Sequence, residues 1–564
     1  MFTTTCGSLP RKLNLPPELL AYILEYVAIP YLEIDGNEKI ERPNRYREPL
    51  CPYLVSRMTL RNACLASKTV SDVARRLLYQ DVMLLHATDV VLLFRTLLEE
   101  GCAGGQQRRR AQGGFRSSIK NLVCLVTLFD GAVIAETARA WRLLSLPEDM
   151  EAEDMTILWL ADLSLGRILD EELNDAGYWS TIQRLFAALL ALTTQLRSVT
   201  MQCPYWLSDA RVYTPLDSVI RSLRRHRMIG ANTLSHLETL VTHPEPGCRT
   251  GNGRVRQRLN NLFASLLELP TLRTLVARSC AGPLDVAGFG GPGALGLERV
   301  ALYGSCSLAT DIGNYAALCR GLRRLEIYGT PADVERLDAA LFPVADRIRA
   351  LVLRLMPGTP GASDGGEHAA SGATAIATLA TVQTTTTPAS FYPGGGSRIG
   401  WFGGNYAHLT DLTIEDRILF RDAAQMESVG LVRRLPRSLV SLVLVEQWAP
   451  SSSSRPRSAA SSFPDAEAEQ EATRHLAAVA RALLRASKEC AERLPSLRRF
   501  AFDRAPQRRA WRATRADAAF RARCAEIRTS FADAHAHARP RADVTVEFLL
   551  LPDPSAESPA RPVA

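Results

Sequence analysis

Arg278, Arg299, Tyr303, Arg324, Tyr328 and Arg354 are the residues whose types and spacing suit recognition chemistry. A guanidinium presents a planar fork of N–H donors that fits a carboxylate or a phosphate. Arginine and tyrosine are also the types that dominate binding energy at protein interfaces. All six fall at outward positions of successive predicted strands, because side chains alternate across a strand. They read as one candidate surface for an acidic or phosphorylated segment of a partner protein. The competing reading is a solvated strand face whose arginine stems cover apolar neighbours.

Other chemistries lack their residues. Gly291-Pro292-Gly293-Ala294-Leu295-Gly296 spells G-x-G-x-x-G, but a dinucleotide site needs a strand before it and a helix after it. Here the predicted strand, 300–303, follows, so the segment reads as a turn. The chain has no G-x-x-x-x-G-K-[ST] and no G-x-S-x-G. His535 and His537 read as a solvated helix end, and Glu171 and Glu172 as a polar stretch. Cys306 and Cys319 read as core thiols. No catalytic group, cofactor or metal is expected.

The composition is that of an ordinary soluble protein. The 564 residues are 46% hydrophobic and 22% charged, enough for a large core in several domains. A net charge of +8 is mild for this length and hints at acidic partners rather than nucleic acid. The arginines of 498–523 alternate with alanine and acids on a predicted helix, which reads as a solvated face. The 12 cysteines include no C-x-x-C pair, which argues against a zinc site and a disulfide framework. Residues 1–12 contain no apolar stretch of a secretory signal, and the apolar run 185–192 is too short to span a membrane. A cytoplasmic or nuclear protein is expected.

The elements that must position the arginines announce themselves by repetition. One phrase recurs: apolar, two variable residues, apolar, one residue, apolar. It occurs at 119–124, 196–201, 237–240, 272–277, 297–302, 322–327, 348–353, 409–414, 439–444 and 497–502, with a final strand expected at 544–548. Starts at 272, 297, 322 and 348 set a period of 25 or 26 residues. Helical stretches are expected between strands, among them 332–341 and 476–494.

At the N-terminal end, Leu15-Pro16-Pro17-Glu18-Leu19-Leu20-Ala21-Tyr22-Ile23-Leu24-Glu25-Tyr26-Val27 reads as a helix with proline in its first turn. Its apolar residues recur at helical spacing, and Tyr22 and Tyr26 widen the stripe until it needs cover on more than one side. Residues 60–79 read as two short helices broken near Ser67, with Thr69 and Asp72 as a capping pair.

This N-terminal arrangement resembles an F-box. That family begins with a Leu-Pro-x-Glu-Leu-Leu helix and continues into a helix pair ending near an aromatic residue. The matching residues are Leu15, Pro16, Glu18, Leu19, Leu20, Ile23 and Leu24, then Leu65, Ser67, Val73, Ala74, Leu77 and Tyr79. Residues 28–58 depart from it as a long insertion, and Thr69-Val70 stands where an aromatic is common. The recurring phrase resembles a leucine-rich repeat, whose period is about 20–29 residues, although the asparagine that usually follows the strand is missing. The resemblance implies an α/β repeat protein: a three-helix F-box over 1–85, a helix and basic loop linker over 86–118, and an irregular leucine-rich repeat solenoid over 119–550. Residues 357–400, 450–466 and 551–564 are expected to be disordered, being poor in apolar residues.

Functionally, the resemblance implies a substrate receptor of an SCF-type cullin–RING ubiquitin ligase. Leu15, Pro16, Leu19, Leu20, Ile23 and Leu65 would dock on a Skp-family adaptor, and the repeats would hold the target. A repeat scaffold acting outside any ligase is the alternative.

Overall fold

The computed structural model describes residues 16–28, 47–101, 114–124, 175–203, 215–225, 234–244, 249–250, 253–254, 264–278, 289, 291–305, 309–329, 336–354, 406–419, 430–446, 466–504, 515–538 and 547–550. Leu15, Cys306, Glu171, Glu172, the basic loop 102–113 and the stretches 357–400, 450–465 and 551–564 lie outside them. The chain divides into two compact units, 1–248 with 261–272 and 249–260 with 273–564. Among the described residues no helix is long and apolar enough to cross a membrane.

The first unit opens with three helices, α1 (Pro17–Val27), α2 (Arg47–Ala66) and α3 (Lys68–Gln80). It continues through β1 (Asp81–Leu84), α4 (Ala87–Gly101), α5 (Phe115–Ser118), β2 (Asn121–Cys124), α6 (Asp175–Leu192), β3 (Ser198–Cys203), α7 (Pro215–Arg225) and β4 (Thr239–Pro244). Strands β1 to β4 are parallel and lie in chain order.

Three expectations change here. Residues 47–58 are not part of an insertion but the first half of the 20-residue α2. Pro49 and Pro52 concealed this by reading as a break: Pro49 lies in the first turn, where a missing N–H costs little, but Pro52 falls in the second. The cap of α3 is Ser67 rather than Thr69: Ser67 is extended and its Oγ accepts from Val70 N at 3.3 Å. Finally, the sheet starts at Asp81, inside the segment assigned to the helical module. Its strand was unrecognised because the phrase there, Tyr79 to Leu84, begins inside the last turn of α3.

The second unit begins with an antiparallel pair, β5 (Arg249–Thr250) and β6 (Gly253–Arg254). Its main sheet runs β7 (Thr274–Arg278), β8 (Arg299–Ser305), β9 (Arg324–Gly329), β10 (Ala350–Arg354), β11 (Asp411–Glu415), β12 (Ser441–Glu446), β13 (Arg499–Arg504) and β14 (Glu547–Leu550). All eight are parallel and in sequence order. Between them lie α8 (Ala309–Leu318), α9 (Leu337–Leu341), α10 (Asp416–Leu419), α11 (Ala466–Arg493) and α12 (Arg515–Ala538).

The recurring phrase explains the register. Its first apolar residue precedes the strand, and its second and third point inward. Val300, Leu325, Leu351, Leu412, Leu442 and Phe500 therefore align across β8 to β13, and Leu302, Ile327, Leu353, Ile414, Leu444 and Phe502 form the next inner row. All are buried. The G-x-G-x-x-G segment is a turn ahead of β8, with positive φ at Gly291 and Gly293. Cys319 is buried and burial pushes its thiol up to about 12.

Helix α8 packs on α9 so closely that a Cβ at Gly313 would collide with the carbonyl of Ala340. Gly313→Ala is expected to lower stability by about 1–3 kcal/mol through overpacking, measured as a reduced urea midpoint. A neutral effect would show that α8 shifts freely.

Asp338 on α9 is buried, and burial pushes its carboxyl up to about 6 against a smaller downward pull from the Tyr406 hydroxyl. Between its ordinary value of 3.8 and about 6 the folded chain keeps a proton that the unfolded chain releases. Stability therefore falls as pH rises through that window. Asp338→Asn should be the more stable form at pH 7, by on the order of 2 kcal/mol, and lose its advantage near pH 4. Chemical denaturation at both pH values checks this.

Candidate protein-docking surfaces

In the helical module the apolar residues of α1 fall on two faces. Leu20, Leu24 and Ala28 face the module's own core, with Leu60, Ala63 and Cys64 of α2 and Val70, Val73, Ala74, Leu77 and Leu78 of α3. Leu19, Tyr22, Ile23 and Tyr26 share the other face at helical spacing and are exposed, from 44% at Ile23 to 85% at Tyr26. Helix α2 repeats this division. Val55, Met58 and Leu65 recur along one face and are exposed, Leu65 to 82%. Among the described residues, two apolar stripes on neighbouring helices are thus exposed, which makes them a candidate docking surface. The module is anchored to the sheet by Tyr53, buried on α2, whose hydroxyl donates to the carbonyl of Asp81 at 3.2 Å. Tyr79 stacks on Phe115 with ring centroids 4.3 Å apart.

On the strand face of the second unit, register places Arg299 beside Arg324 and Tyr303 beside Tyr328. The two tyrosine rings stack, with centroids 4.2 Å apart and 8° between planes. Between the arginines lies Glu326, 1% exposed. Arg299 Nε donates to its Oε1 at 2.8 Å and Arg324 Nε to the same oxygen at 2.6 Å, while the Tyr328 hydroxyl donates to Oε2 at 3.2 Å. Burial pushes the Glu326 carboxyl up, but the two guanidiniums, Arg299 foremost, outweigh it and hold the group below the usual range. Burial, with Glu326 alongside, pushes the Tyr328 hydroxyl up. Arg354 reaches across two strands to Asp503, Nη2 to Oδ2 at 3.2 Å.

The structure thus brings together most, but not all, of what the sequence suggested. Leu19, Ile23 and Leu65 are exposed as a docking role requires, and Pro16 is exposed at the helix start. Leu20 is corrected: it is turned into the module's own core, since it lies on the Leu24 side of the helix. Arg299, Tyr303, Arg324 and Tyr328 cluster, and Arg278 sits opposite Tyr303 in register. Arg299 and Arg324 share the single carboxylate of Glu326, which leaves a net positive charge there, and Arg354 pairs with Asp503. Sequence reading missed Val55 and Met58, although their three-residue spacing ahead of Leu65 by seven was visible. Glu326, between the two arginines, was not among the candidate residues, and its strand neighbours bury it. His535 and His537 lie in α12, and no set of metal-ligating side chains occurs among the described residues.

No protein-family profile matches this chain, and no curated protein is significantly similar to it in sequence.

Removing both arginines strands a buried carboxylate. Arg299→Ala with Arg324→Ala is expected to cost about 1–3 kcal/mol, the usual buried-pair penalty reduced because both guanidiniums are about half exposed. Adding Glu326→Gln should recover a large part of the loss, read as the urea midpoint at pH 7. A triple variant no more stable than the double would show that Glu326 is not the stranded group.

Proposed function

We propose that this chain is a substrate receptor of an SCF-type cullin–RING ubiquitin ligase, with an F-box over its N-terminal helices and an irregular leucine-rich repeat region behind it. The observation that carries the reading is the pair of exposed apolar stripes, Leu19, Tyr22, Ile23 and Tyr26 on α1 and Val55, Met58 and Leu65 on α2. They lie on a helical module that already has its own core, so they are not needed to hold it together. A Skp-family adaptor is the partner that the Leu-Pro-x-Glu-Leu-Leu resemblance names for such a surface. The parallel strands with inward leucine rows support the repeat reading, and a repeat region of this kind offers an extended face to a target. In this role the chain supplies proximity and orientation while an associated enzyme transfers ubiquitin.

Leu19→Glu with Ile23→Glu should abolish co-purification with a Skp-family adaptor and leave the thermal melting curve within a few degrees of the parent, because neither side chain is part of the core. Retained adaptor capture by the variant, or no capture by the parent chain, would sink the proposal. The second result would favour a scaffold acting outside a ligase.

A further inference from the structure

The arginines that remain available lie one residue earlier than the strand face suggested by sequence. In the second unit each strand is preceded by a residue whose N–H bonds to the carbonyl of its counterpart on the previous strand. Glu298 N donates to Arg273 O, Arg323 N to Glu298 O, Arg349 N to Arg323 O and Thr410 N to Arg349 O, at 2.7 to 2.8 Å. This ladder sets Arg273, Glu298, Arg323, Arg349 and Thr410 in one row along the edge where the strands begin. Arg273 pairs with Glu298 at 3.5 Å. Arg323 and Arg349 are exposed and have no acidic partner among the described residues. Exposed Arg320 joins them from the preceding turn, which its own N–H to Leu295 O at 2.8 Å and the Arg347 guanidinium to its carbonyl at 3.3 Å hold in place.

We propose that Arg320, Arg323 and Arg349 form the contact site for a short acidic segment of a partner polypeptide. The site lies on the strand-start edge, not among the mid-strand arginines, each of which is already held by Glu326 or Asp503. Two features favour polypeptide over nucleic acid. The unpaired positive run is only two strands wide, about 5 Å between neighbours, and Glu298 on one side and Asp411 on the other would repel a continuous phosphate backbone. No aromatic ring stands in the row to stack on a base. Two or three carboxylates close together in sequence match the run. That the bound polypeptide is a ligase target rests on the reading given above; the contact chemistry does not.

The test uses the full chain and a fluorescein-labelled hexaglutamate peptide, followed by anisotropy at low ionic strength. Arg323→Glu with Arg349→Glu should weaken binding by about tenfold or more. Arg493→Glu with Arg528→Glu, an equal charge change on α11 and α12, should alter it less than about twofold. The proposal is overturned if the parent chain does not bind the peptide saturably, if both variants fall equally, or if neither falls. It is also overturned if an oligothymidylate of matched charge competes as well as unlabelled peptide. Adaptor capture by Arg323→Glu/Arg349→Glu should be unchanged, so loss of this site and loss of the ligase reading give different results.

Discussion

A parallel strand that is hydrogen-bonded on both edges and buried on one face cannot slip by one residue without turning its apolar side chains to water. In this chain that constraint is imposed at the strand start. The N–H groups of Arg323 and Arg324 both reach the carbonyl of Glu298, and those of Arg349 and Ala350 both reach Arg323. The same bifurcated start recurs in the first unit, where Arg197 and Ser198 both reach Lys120. Each strand is thereby set on the last, and leucine, isoleucine and phenylalanine stack in continuous inner rows. Every other feature of the sheet inherits this register.

The outward face is one consequence. Because register is held, Arg299, Arg324 and Glu326 meet at fixed positions, and two guanidiniums close over a carboxylate that would otherwise be stranded in the sheet. Burial alone would favour protonating Glu326; two cations beside it reverse that balance. Tyr328, stacked on Tyr303, adds a hydroxyl donor to the same carboxylate. In this part of the face two arginines hold one buried carboxylate, and their other N–H groups stay half exposed. At the strand-start edge the ladder leaves Arg323 and Arg349 facing solvent.

The helical module obeys a different constraint. Helices α1 and α2 each carry apolar residues on two faces, but α3 can cover only one of them. The residue spacing decides which side chains are inside: Leu20 and Leu24 go with the core, while Leu19, Ile23 and Tyr26 do not. The exposed stripe takes no part in the cluster around Leu24, Leu60 and Ala74. The Tyr53 hydrogen bond to Asp81 ties that module to the first strand.

Strand positions, their period and the inward rows were legible in the sequence, because burial and period-two alternation are local properties of the phrase that begins at Leu297 or Leu322. So was the first helix, with Pro16 and Pro17 at its start. Helix α2 was hidden because Pro49 and Pro52 mimic a break, and β1 because its phrase begins at Tyr79, inside the last turn of α3. What only the tertiary structure decided was pairing between groups distant in sequence: Glu326 with Arg299, Arg354 with Asp503, Leu20 with Leu60. Those contacts depend on which strand or helix lies beside which. Composition and spacing determine which residues face inward, but the charge left on a surface is set only after neighbours have neutralised one another across the fold.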